Sequence, residues 1–346
     1  MATTPAHTLN LCGVISEAKR IINAHSRHFL ALSVVFLLPL AFSLIIFPTL
    51  HLSLTQFDVV STQFFILDPP DLPQTLTIII PLLYTLFLYI FFLGALATIT
   101  YSTFHGFYGR PVRFFPAIKS LCFSFFPLVS TTIAAQLLLG LISLTFLLFF
   151  VVIIRTAENL GFGIDYDSNY FIVFCALVAV VLGLVLICFQ VNWSLACVVV
   201  VAESKWGFEP LWRSSYLVKG MRSISLSLLL FFGVLIGFWV WMNSNNVLEL
   251  DGVGGWRSWP FVLQMVIGTS LLTLLLLHNT AANTVLYMYC KALHGELAIE
   301  IAEEFAREYV SLPFDDQKVP HVVTVMPTMR VDIKNHGSPS TFEFQM

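Results

Sequence analysis

Six long apolar runs dominate the chain, near residues 29–50, 76–104, 120–154, 170–200, 224–243 and 261–289. Each offers the roughly 20 residues that an α-helix needs to cross about 30 Å of hydrocarbon. The pattern predicts an all-α membrane protein with six transmembrane helices. Several runs exceed that thickness and must tilt, kink or project beyond it. Pro39, Pro81 and Pro127 are the expected kink positions, because proline removes a backbone donor inside a helix.

Between and around the runs the periodicity changes. Residues 11–28 place Leu11, Val14, Ile15, Ala18, Ile21, Ile22 and His25 on one face, with Lys19, Arg20, Asn23 and Arg27 mostly on the other. That predicts a basic amphipathic helix lying in the plane of the membrane. After the sixth run, Leu293, Leu297, Ile301, Phe305 and Tyr309 recur at helical spacing and predict a further surface helix that stops before Pro313. The organisation expected is an amphipathic segment over 1–28, a transmembrane domain over 29–290, an amphipathic helix over 291–313 and a disordered tail over 314–346. The tail is read as disordered because it has little periodicity and several Pro, Gly and Ser.

Charge then orients the runs. Taking the segments outside the six runs alternately, one set holds fifteen Lys and Arg and the other set two. By the positive-inside rule, both termini are expected in the cytosol. Short basic segments precede the odd-numbered runs at 16–28, 110–119 and 209–222. They suggest a three-fold repeat of surface helix, span, outer loop and span; positive-inside topology alone also produces this look. The first 28 residues lack a short apolar core followed by a small-residue cleavage site, so the first span is expected to act as an uncleaved insertion signal.

Composition narrows the class. The chain is 58% hydrophobic and 11% charged, against about 25% charged residues in soluble domains, so it reads as an integral membrane protein. The basic residues are scattered among loops, which argues against nucleic-acid binding. None of the six cysteines falls in an expected outer loop, so no disulfide framework is anticipated. Cys290, where the last run meets the cytosol, reads either as a palmitoylation site or as a plain interfacial cysteine.

Catalytic motifs are not found. The sequence has no HExxH, GxSxG, P-loop or paired-cysteine metal pattern, and no cofactor or metal is expected. No Asp, Glu, Lys or Arg falls well inside a run, which removes the usual pointer to a pump. Milder polar residues remain in the fourth and sixth runs: Gln190, Asn192 and Ser194, then His278, Asn279 and Asn283. They read either as a small polar pocket or as interhelical hydrogen bonds holding the bundle together. Asn279, Asn283 and Tyr287 are spaced i, i+4, i+8.

The longest charged island in the hydrophobic body is Val201 to Arg222, carrying Glu203, Lys205, Glu209, Arg213, Lys219 and Arg222. Pro210 suits a first helical turn and Gly220 a C-terminal stop. Between them Leu211, Trp212, Ser215, Tyr216 and Lys219 predict a stripe facing the membrane interface. Glu203 and Glu209 could pair with Arg213, Lys219 or Arg222. Alternatively the basic residues, with Trp206 and Trp212, could engage anionic lipid headgroups.

The same island carries a resemblance. The run E-S-K-x-G-x-x-x-L-x-R-S-x-x-L-x-x-G, with Glu203, Gly207, Leu211, Arg213, Ser214, Leu217 and Gly220, resembles a motif of plant multi-pass membrane proteins. It is also similar to the membrane domain attached to some bacterial glycerophosphodiester phosphodiesterases. The resemblance covers the six spans and implies their architecture, with a lipid context. The soluble phosphodiesterase barrel has no counterpart here, so lipid hydrolysis is not implied. The function expected is that of a non-enzymatic protein of the endomembrane system or plasma membrane. Its role would be a scaffold, membrane organisation or lipid handling; the alternative is a transporter or channel for a small polar or lipidic solute.

Overall fold

The computed structural model describes residues 10–47, 74–110, 112–161, 168–254, 259–299 and 301–302. Contacts divide the chain into a unit Met1–Ala298 and a second unit Ile299–Met346, of which the described residues are helical. The expected tail 314–346, most of the expected helix 291–313 and nearly all of loop 51–75 lie outside the described residues.

The described residues are almost wholly helical, without a strand among them. In chain order the helices are α1 (Leu11–Ala24), α2 (Ser26–Phe47), α3 (Gln74–Phe107), α4 (Phe114–Asn159), α5 (Asn169–Trp193), α6 (Ala196–Glu203), α7 (Glu209–Leu217), α8 (Arg222–Gly254) and α9 (Trp259–Leu293). Six stretches are long and apolar enough to cross a membrane: α2, α3, α4, α5 continued by α6, α8 and α9.

Two departures from regular helix follow from the sequence. In α2 the turn Ser33–Leu37 is π-helical, immediately before Leu38-Pro39. Proline cannot donate to the carbonyl four residues back, and a widened turn absorbs that gap. The fourth apolar run is not one helix. It breaks after Trp193 and resumes at Ala196. α5 alone has 25 residues, about 37 Å at 1.5 Å per residue, which already crosses about 30 Å of hydrocarbon. The apolar α6 is therefore not needed to span. It is buried in protein through Ala196, Val198, Val199 and Val200.

Burial is uneven along the bundle. The most apolar stretches of α4 and α5 are not covered by the rest of the chain. By contrast, the end of α9 is covered on every side: Ala281, Ala282, Thr284, Val285, Leu286, Tyr287, Met288, Cys290 and Lys291 are all buried. α1, α3, α6 and α7 pack around it. A helix buried all round is the centre of a core, not a lipid-facing rod. The six spans thus converge on a compact helical cap at one end.

α1 belongs to that cap. Its apolar face (Val14, Ala18, Ile21, Ile22) is buried against α9 and α3. Burying Val14, Ile21 and Ile22 contributes of order 1.5–3 kcal/mol each. α2 and α3 run antiparallel, with Phe36 against Gly94 and His28 Nε2 at 2.9 Å from Ser102 Oγ. A Cβ at Gly94 would lie 2.8 Å from the Phe36 ring, so the close approach depends on that glycine.

A separate amphipathic helix precedes the first span (α1) and the fifth (α7). Before the third, helix runs on from Phe114 into the span without interruption. α4 has 46 residues, about 69 Å, and so extends well past a bilayer. The fifth span also continues further than its apolar run, to Gly254.

Candidate functional site

The site is built where the fourth run breaks. Ending α5 at Trp193 frees backbone groups that a continuous helix would have paired. Hydroxyls take them up. Ser214, fully buried on α7, donates to the Asn192 carbonyl at 2.8 Å and accepts from the Leu195 N–H at 3.2 Å. Ser194 donates to the Val191 carbonyl at 2.9 Å, and its Oγ lies 2.8 Å from Ser225 Oγ at the start of α8. α7 and α8 therefore hold the break open from the side.

The chain reaches Ser214 by reversing direction between α6 and α7. Ser204 adopts a left-handed φ of +53°, which a short polar side chain tolerates, and Gly207 follows at φ +72°. Pro210 stands in the first turn of α7. Leu211 packs with Ala134 and Ala196, while Leu217 enters the main core. Gly220 closes the unit at φ +96°, where a Cβ would meet Leu293 at 3.1 Å. Five of the motif residues thus have a place: one cap, two buried leucines and two backbone positions that favour glycine.

Charge locks the hairpin to the core. Arg213 Nε donates to both Glu203 oxygens at 3.3 Å, and its Nη2 pairs with Glu296. Buried Tyr287 donates to Glu203 Oε1 at 3.0 Å. Lys205 lies 3.8 Å from Glu203 and 2.7 Å from Glu209. Burial opposes the Arg213 charge, but the hydrogen bond and attraction of Glu296, with Glu203, outweigh it and hold the guanidinium above its ordinary range. Side-chain exposures of 14% for Glu203 and 22% for Arg213 put this pair between the exposed and buried limits.

This geometry divides the predicted stripe. Leu211, with Ser214 and Leu217, turns inward, whereas Trp212, Tyr216 and Lys219 turn outward and Ser215 is half-buried. Trp206, Phe208 and Arg222 are exposed as well, and Trp212 is 81% exposed. Around the Tyr216 ring stand Arg213 at 5.8 Å, Lys219 at 5.9 Å and the His294 ring at 5.0 Å.

A domain of unknown function, DUF8558, matches residues 5–319. The chain belongs to the DUF8558 family. The match takes in every described helix, so the cap and the spans are one DUF8558 unit. Neither a curated protein nor a solved structure matches the chain.

Within this DUF8558 protein the two intramembrane polar groups are not joined. Gln190 is exposed; Asn192 serves through its backbone carbonyl, and its Oδ1 is buried without a partner among the described residues. On α9, His278 Nδ1 lies 2.8 Å from the Leu274 carbonyl, and Asn283 Nδ2 donates to Asn279. Among the described residues no hydrogen bond links Gln190 or Asn192 to Asn279 or Asn283. Cys290 is fully buried with its sulfur 3.6 Å from Met221 Sδ, which corrects the palmitoylation reading: an acyl chain could not reach it without opening the core.

Three participants were not connected to the island from sequence. Tyr287, Glu296 and His294 each lie more than seventy positions after the residue they contact. The spacing of Tyr287 from Asn279 and Asn283 was a visible signal; nothing marked Glu296 or His294. A second polar junction also emerged only in three dimensions. Trp239 Nε1 donates to the Gly268 carbonyl at 3.0 Å, and Gln264 donates to Asn243 Oδ1 at 2.7 Å, tying α8 to α9.

Proposed function

We propose that this protein is a non-enzymatic multi-pass protein of the endomembrane system or plasma membrane. Its termini lie in the cytosol, and the α6–α7 hairpin organises or handles lipid at the cytosolic membrane surface. The observation that carries this reading is the two-sided character of the stretch Glu203–Arg222. Its inner face is clamped by Ser214 and the Glu203–Arg213 pair, while Trp206, Trp212, Lys219 and Arg222 remain exposed. Tryptophans beside basic residues suit the boundary between apolar chains and anionic headgroups. The resemblance of the motif to lipid-associated membrane domains agrees with that context.

The test uses purified full-length protein in mild detergent, with thermal stability followed on adding phosphatidylglycerol or phosphatidylcholine. Anionic lipid is expected to stabilise the wild type more. Neutralising Lys219 and Arg222 together should remove about 1 kcal/mol of that preference per residue. Equal stabilisation by both lipids refutes the reading.

Transport of a small polar or lipidic solute is the second reading, favoured by the broken fourth run beside the buried Asn192 Oδ1. Protein-dependent solute flux in reconstituted vesicles, lost in Asn192→Ala, would favour it over the first.

A further inference from the structure

The surroundings of Tyr216 form a second, more specific feature of the hairpin. One aromatic ring carries two cations, Arg213 at 5.8 Å and Lys219 at 5.9 Å, with an imidazole, His294, at 5.0 Å. Cation–ring attraction at such distances is weak at exposed sites. Lys219 makes no ion pair among the described residues, whereas Arg213 has two carboxylates.

Those two carboxylates are not equivalent. Glu203 is 14% exposed and has other partners: Tyr287 donates to it at 3.0 Å, and Lys205 lies 3.8 Å away. It is a fixed part of the fold. Glu296 is 29% exposed and lies past the Gly295 turn, beyond the end of α9; Arg213 is its partner here. Withdrawing Glu296 would leave Arg213 still held by Glu203. It would also free the Nη2 edge for an oxyanion.

We propose that Arg213, Lys219 and His294, arranged around Tyr216, form a binding site for a phosphate group, and that Glu296 is its built-in competitor. The guanidinium offers parallel donors that match phosphate oxygens, and Lys219 adds a point charge at the same ring. This rests on the lipid-surface reading only for the expected source, a phospholipid headgroup; a soluble phosphate ester carries the same chemistry.

The experiment measures binding of phosphatidic acid, presented in detergent micelles, to full-length protein below its unfolding temperature. Four proteins are compared: wild type, Lys219→Gln, Glu296→Gln and Glu209→Gln. Lys219→Gln should weaken binding about five-fold. Glu296→Gln should strengthen it roughly two- to five-fold, the worth of an exposed to half-exposed ion pair. Glu209 pairs with Lys205 and has no contact with Tyr216 among the described residues, so Glu209→Gln removes the same charge without opening the site and should change little. Equal gains from the two glutamate variants would reduce the effect to net charge and overturn the site. So would a loss on Glu296→Gln, or no effect of Lys219→Gln while anionic lipid still binds; in those cases the broader lipid reading survives. Absence of any phosphatidic acid binding removes both. Competition by sn-glycerol 3-phosphate would support a site supplied from water. Lipid binding that resists it, with the variant effects intact, would support a site supplied from the bilayer.

Discussion

Replacing Ser214 by alanine removes one oxygen and should do damage well beyond that size. The hydroxyl is fully buried and makes two bonds across the helix break, to the Asn192 carbonyl at 2.8 Å and from the Leu195 N–H at 3.2 Å. Leu195 is itself fully buried, so its N–H would have no route to water. An orphaned buried polar group costs about 1–3 kcal/mol, and Asn192 as a residue is only half-buried, which gives about 2–4 kcal/mol for the pair. Ser215 supplies the matched control. It lies one residue on, half-buried, and its hydroxyl bonds only the Trp212 carbonyl within its own helix. Ser215→Ala should fall within about 0.5 kcal/mol of wild type. Both variants would be purified in the same detergent and melted at one scan rate, since membrane proteins are often compared by apparent rather than equilibrium stability. Ser214→Ala should melt several degrees lower, and Ser215→Ala should be unchanged. Indistinguishable melting of the two would show that the break does not depend on this cap.

Glu203→Ala should destabilise by about 2–3 kcal/mol, because it strips a bond from buried Tyr287 and a partner from half-buried Arg213. Glu209→Ala, at a 59% exposed side chain, should cost less than about 1 kcal/mol; equal losses in a thermal melt would refute the ranking. Two glycines should respond with opposite signs in the same assay. Gly220→Ala imposes a side chain at φ +96° against Leu293 and should destabilise. Gly233→Ala, inside α8 with nothing within 4 Å of the added carbon, should stabilise by up to about 1 kcal/mol.

How much of this was legible in the sequence follows from the range of each interaction. Hydrophobic runs about 20 residues long read directly as spans, because one bilayer thickness sets one helix length. The start at Pro210 and the stop near Gly220 were also readable, since backbone conformation is decided by the residue that adopts it. Apolar continuity could not reveal the break after Trp193. The residues that compensate it, Ser214 and Ser225, are brought there only by the fold. Amphipathicity likewise showed that α1 has an apolar face but not what covers it, because protein and lipid satisfy the same face equally well. The Glu203–Arg213–Glu296 chain joins positions up to 83 residues apart, and charge pairing carries no periodic trace. What the sequence by itself determined was which segments are apolar enough to span and where α7 starts and stops. Tertiary structure alone decided that the end of α9 is the centre of the cap, and which charges meet there, because burial and pairing depend on neighbours distant in the chain.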